Sequence, residues 1–125
     1  MPFPWFWDSF LRPGRRAEIL AARHLREHQY RIVVSPYRVR QGEVDIVAWD
    51  GDQLVFVEVK SRTSEDAPED AVTSRKRGRL IRAAREYMAR WRLNDISYRY
   101  DIVAVNFGPD ARPSFRIIKD AFRER

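Results

Sequence analysis

The feature that most constrains this chain is a pair of β-branched runs, residues 43–49 and 54–60, separated by Asp50-Gly51-Asp52-Gln53. Asp-Gly and Gly-Asp are both strong two-residue hairpin signals, so the two runs are expected to pair as neighbouring antiparallel strands. Alternate residues of a strand share a face, which places Glu43 with Asp45 and Glu58 with Lys60. If Asp50-Gly51 is the turn, Trp49 opposes Asp52 and Asp45 lies diagonal to Glu58. If Gly51-Asp52 is the turn, Asp45 opposes Glu58 directly. Either register gathers Asp45, Glu58 and Lys60 on one face within about 8 Å, whereas a three-residue loop would separate them.

Val55, Val57 and Val59 fill the other face of the second strand. Two carboxylates and an ammonium on one face are costly unless solvated or paired with a cation. Two readings stand at this point. One is a salt-bridged, solvent-facing sheet surface, with Glu58 bound to Lys60 or Arg38. The other is a cation-binding site.

The flanking sequence supplies a frame. Pro13-Gly14 opens a helix to about Gln29, with Ala17, Ala21, Leu25 and His28 as its apolar stripe and Glu18 at the edge of that face. Residues 30–35 read as a strand stopped by Pro36, and residues 61–70 as a polar, acidic loop. Thr73 or Ser74 caps a second helix reaching about Trp91, with Leu80, Ala84, Tyr87, Met88 and Trp91 on one face. Strands follow at 98–105 and 115–118. The expected organisation is an aromatic arm over 1–13, one domain over 14–119 and a basic tail over 120–125.

Charge points to a polyanion. The net charge is +6, and the second helix carries Arg75, Lys76, Arg77, Arg79, Arg82, Arg85, Arg90 and Arg92 against only Glu86. Arg75, Arg79 and Arg82 fall opposite the apolar face, where they would track nucleic-acid phosphates; Lys76 falls near the inward face of the first turn. A merely solvated arginine face is the plainer alternative. The chain has no cysteine, which removes disulfides, thiolate zinc sites and cysteine nucleophiles and suits a cytoplasmic setting. No stretch is long and apolar enough to span a membrane. The arm (Phe3, Trp5, Phe6, Trp7 and Phe10) is expected to pack on its own domain or on a second copy in a homodimer; a membrane or partner contact is the other reading. His24-Leu25-Arg26-Glu27-His28 matches an inverted zinc-peptidase signature, but it sits in a first helix of a chain too small for such an enzyme.

Taken in order, Gly14-Arg15-Arg16-Ala17-Glu18, Gly42-Glu43-Val44-Asp45-Ile46-Val47, Val57-Glu58-Val59-Lys60, Lys76, Ala84 with Tyr87, and Arg99-Tyr100-Asp101 resemble the bacterial UPF0102 (YraN) family over about residues 14–105. The chain departs from the family's usual Asn-x-Arg step, having Pro36-Tyr37-Arg38 there. That family is similar to archaeal Holliday-junction resolvases and PD-(D/E)XK nucleases. The resemblance implies an α/β, restriction-endonuclease-like mixed central sheet flanked by helices, with Glu18, Asp45, Glu58 and Lys60 in the active-site roles.

The chemistry fits those residue types. Carboxylates are hard oxygen ligands suited to Mg²⁺ or Mn²⁺, which would be held by Asp45 and Glu58 with the Val59 carbonyl. Lys60 would orient the attacking water or stabilise the transition state, and Glu18 would hold a water or a second ion. Glu43 shares the face but reads more simply as an exposed strand-end charge. The expected activity is metal-dependent hydrolysis of nucleic acid, DNA foremost, with branched or damaged structures as candidates. The competing reading is an adaptor for nucleic acid or a partner protein that keeps the fold without turnover.

Overall fold

The hairpin forms with Gly51-Asp52 as its turn, and Gly51 takes the left-handed conformation (φ 62°) that suits a glycine there. Asp50 pairs with Gln53 and Ile46 with Val57, which aligns Asp45 with Glu58. This computed structural model describes residues 13–63, 74–108 and 112–124. The aromatic arm up to residue 12 and most of the acidic loop lie outside the described residues.

Helix α1 (Pro13–Glu27) is followed by β1 (Arg31–Val34), β2 (Tyr37–Val39), β3 (Gly42–Val44), β4 (Ile46–Asp50) and β5 (Gln53–Thr63). Helix α2 (Ser74–Arg90), β6 (Tyr98–Phe107) and β7 (Pro113–Phe122) follow, completing the elements of the described residues. The main sheet has the order β1-β4-β5-β6-β7. Only the central β5–β6 pair is parallel, and α2 is its crossover connection, as a parallel pair requires. The result is a mixed α/β sheet with a helix on each side, consistent with the restriction-endonuclease-like class.

The two helices cover opposite faces. Ala17, Ala21 and Leu25 of α1 pack with Ile46, Ala48, Val55 and Val57. Leu80, Ala84 and Tyr87 of α2 pack with Val47, Leu54 and Phe56. β5 is therefore apolar on both faces along its first half, as a central strand must be. Phe56 is fully buried, which contributes about 2–3 kcal/mol.

Several expectations are corrected. Residues 43–49 are not one strand but two, broken at Asp45. Val44 and Val47 both pack on the α2 side, which an uninterrupted strand of period two cannot achieve. Residues 37–39 form an extra strand paired with β3 in a separate two-stranded ribbon. Ser61 to Thr63 belong to β5, where pairing with β6 outweighs their loop-like composition. Trp91 is 58% exposed because α2 ends at Arg90, and His28, one residue beyond α1, is exposed too.

The expected tail from residue 120 is also corrected. β7 runs on to Phe122, and Glu124 is clasped by Arg85 and by the hydroxyls of Tyr98 and Tyr100. Asp101, fully buried, holds this end together. It accepts hydrogen bonds from Arg99, from the Tyr30 hydroxyl at 3.2 Å and from the Asp120 N–H at 2.9 Å. A buried carboxylate is tolerated only with such complete pairing.

The β2–β3 ribbon is pressed onto α2 at Gly42. A Cβ on Gly42 would lie 2.0 Å from the Arg79 carbonyl oxygen and 3.2 Å from the Ala83 nitrogen, both backbone atoms that cannot swing aside. Gly42→Ala is therefore expected to destabilise the fold by about 1–3 kcal/mol, read as a lower urea midpoint. Gly14→Ala, with open space around it in α1, should leave that midpoint unchanged or raise it.

Candidate metal centre

The break at Asp45 sets up the site. β4 begins only at Ile46, so the N–H of Val59 lacks the strand carbonyl that a continued ladder would offer. The Asp45 side chain takes its place: Oδ2 accepts the Val59 N–H at 2.8 Å. Its carboxylate is thereby drawn to the middle of β5, beside Glu58, which is itself buried.

Around these two lies a cavity of about 300 Å³ lined by Gly14, Ala17, Glu18, Glu43, Asp45, Glu58, Val59, Ser61, Lys76 and Arg79. Helix α1 delivers Glu18 from its first turns, with Arg15 donating to it at 3.0 Å. β3 delivers Glu43, which is paired with Arg38 of β2 at 3.2 Å. Oxygens of Glu18, Glu43 and Asp45 lie within 4.8 Å of one another. From α2, Lys76 reaches Glu58 with Nζ 3.0 Å from Oε2.

The electrostatics follow from crowding. Burial, then the charge of Glu58, and to a lesser degree Glu18 and Glu43, push the Asp45 carboxyl up to about 8; the Val59 N–H opposes this. The adjacent Glu58 carboxylate raises the Lys76 ammonium above its ordinary value. Asp45, Glu58 and Val59 together offer oxygen ligands of the hard type that Mg²⁺ and Mn²⁺ take. The acids whose oxygens converge within 4.8 Å are Glu18, Glu43 and Asp45, and the charge of Glu58 also bears on Asp45; the repulsion within this group is what a divalent cation would relieve.

Of the residues singled out from sequence, Glu18, Asp45, Glu58, Val59, Lys76 and Arg79 line this one cavity. Lys60 does not. It sits two residues further along β5, beside Ala104 of β6. Arg75 and Arg82 are exposed on α2 outside the cavity, and Arg82 donates to the Gln41 carbonyl at 3.2 Å. Glu43, expected as an exposed strand-end charge, lines the cavity as well. Its alternation with Asp45 was the available signal, and the cavity brings it in. Neither histidine joins the acidic group; His24 is half-buried and stacked on Phe115 at 4.4 Å.

A family model described as the uncharacterised protein family UPF0102 matches residues 17–105, which includes all these cavity carboxylates. This chain belongs to the UPF0102 family. A UPF0102 protein of Syntrophus aciditrophicus is 44% identical over 114 residues, covering 90% of this chain and 89% of that protein. Another, from Symbiobacterium thermophilum, is 43% identical over 113 residues and is covered to 96%. A third, from Chlorobium chlorochromatii, is 44% identical over 122 residues, with 92% and 94% covered. Among the described residues of this UPF0102 protein, no helix is long and apolar enough to cross a membrane.

The raised Asp45 gives a prediction with a defined sign. In the metal-free fold Asp45 keeps its proton above the ordinary value of 3.8, so the stability it confers is present below that value and is lost as pH rises through about 8. Asp45→Asn, which can still accept the Val59 N–H, should therefore melt higher than the metal-free wild type at pH 9, by about 1 kcal/mol. Added Mn²⁺ should raise the melting temperature of the wild type and not that of the variant.

Proposed function

We propose that this UPF0102 protein is a Mg²⁺- or Mn²⁺-dependent nuclease that hydrolyses phosphodiester bonds, with DNA as its substrate and branched or damaged forms as candidates. The observation that supports it most is the convergence of Glu18, Asp45, Glu58 and the Val59 backbone on one cavity bordered by the basic helix α2. Asp45 and Glu58, with the Val59 carbonyl, would hold the ion. When bound, the ion supplies charge neutralisation at the phosphate and activation of water.

The chain's own residues do the rest. The Val59 N–H fixes the Asp45 carboxylate in place, so little reorganisation is needed at the site. Arg79 on the cavity wall and Arg75 and Arg82 along α2 would meet phosphates and set the strand's path. Glu18 would order a water from the α1 side, and Lys60 would stabilise charge beyond Glu58. The exposed arginines Arg75 and Arg82 would serve binding alone equally well, which is the adaptor reading, in which the fold binds nucleic acid or a partner protein without cutting.

The test is cleavage of a labelled panel comprising linear duplex, single strand, flap, four-way junction and RNA, with Mn²⁺ or Mg²⁺. Cutting is expected in the wild type, lost by about 100-fold or more in Glu58→Ala and in Lys60→Ala. Salt-sensitive binding without cutting of any substrate would establish the adaptor instead.

A further inference from the structure

Three of the four cavity carboxylates each hold a basic side chain. Arg15 pairs with Glu18, Arg38 with Glu43 and Lys76 with Glu58. In every pair the acid is the more buried partner. The acid side chains are 13%, 33% and 8% exposed, and their cations 34%, 58% and 58%. The cations come from three separate elements, α1, β2 and α2.

Such pairing differs from the Asp101–Arg99 network at the other end of the sheet, where the carboxylate is fully buried and the arginine side chain only 11% exposed. Here each basic group is more exposed than the acid it holds. An ion held by Asp45 and Glu58 competes with Lys76 for Glu58 directly, and its positive charge also weakens the hold of Glu18 and Glu43 on Arg15 and Arg38, because oxygens of those two acids lie within 4.8 Å of an Asp45 oxygen. Those cations then lie beside a site occupied by positive charge and are drawn to the nearest anion, a phosphate of bound nucleic acid.

We propose that Arg15, Arg38 and Lys76 hold the place of the divalent ion in the metal-free protein and pass to nucleic-acid phosphates when the ion binds. The two ligands thereby strengthen each other, reciprocally, as linkage requires. This rests on the metal-centre reading above and adds to it an order of events. The metal-free protein meets nucleic acid mainly through α2, and the metal-loaded protein adds contacts around the cavity.

The exchange is measurable without turnover, by salt dependence of duplex binding in Ca²⁺ and in EDTA. Each phosphate contact adds about 0.9 to the slope of log affinity against log salt, so the slope in Ca²⁺ should steepen by up to about 2.7. Arg15→Gln/Arg38→Gln/Lys76→Gln should show one slope in both conditions. Lys76→Gln alone, the milder change, should lose about a third of the increment. Calorimetric titration of Ca²⁺ into the same protein separates the two claims. Ca²⁺ binding with coincident slopes, or an increment that persists in the triple variant, overturns the exchange while leaving the metal centre. Absence of Ca²⁺ binding removes the metal centre and the exchange with it.

Discussion

The hydrogen bond from the Val59 N–H to the Asp45 carboxylate is the constraint on which the site depends. It is a side chain filling a vacancy in a β-ladder. Where β4 stops short, Val59 would be left with an unmade bond inside the protein, and Asp45 supplies the acceptor at 2.8 Å. The same break turns the chain so that Val44 packs under α2 and the β2–β3 ribbon can rest on that helix at Gly42. One residue thus closes the sheet, redirects the chain and presents a carboxylate beside Glu58. Fold and candidate site meet in that atom group, and burial beside Glu58 pushes the Asp45 carboxyl up.

The two ends of the parallel β5–β6 pair carry polar clusters of opposite character. At the start of β6, Arg99 is shared among Asp50, Asp101, Gln53 and Tyr30, and Lys119 adds to Asp50. Every charge there is answered within the chain, which makes that cluster a structural clamp. From the middle of β5 onward the acids outnumber what the interior can neutralise, and their cations reach in from the surface. Ligands of open α/β sheets gather beyond the carboxyl ends of the parallel strands, and the acidic cavity lies toward that end of β5.

Much of this was legible in the sequence. Strand alternation and the Asp-Gly-Asp turn brought Asp45 and Glu58 to one place, and either register sufficed because both preserve the face. The helical wheel put Glu18 at the edge of α1 and Lys76 on the inward side of α2, and both reach the cavity. What was hidden depended on tertiary pairing. The interruption at Asp45 has no local signal, since Val44 and Ile46 are good strand residues. The ribbon at residues 37–39 exists because α2 gives it a surface to lie on. The extension of β7 past residue 119 comes from Asp101 capturing the Asp120 N–H, seen only once β6 and β7 are paired.

The most direct test of the central claim is anomalous scattering from crystals of this protein soaked in Mn²⁺. The account predicts one strong peak bonded to carboxylate oxygens of Asp45 and Glu58 and to the Val59 carbonyl, with Lys76 withdrawn from Glu58. A fully occupied Mn²⁺ elsewhere, with the Lys76–Glu58 pair intact and no density between Asp45 and Glu58, would contradict it.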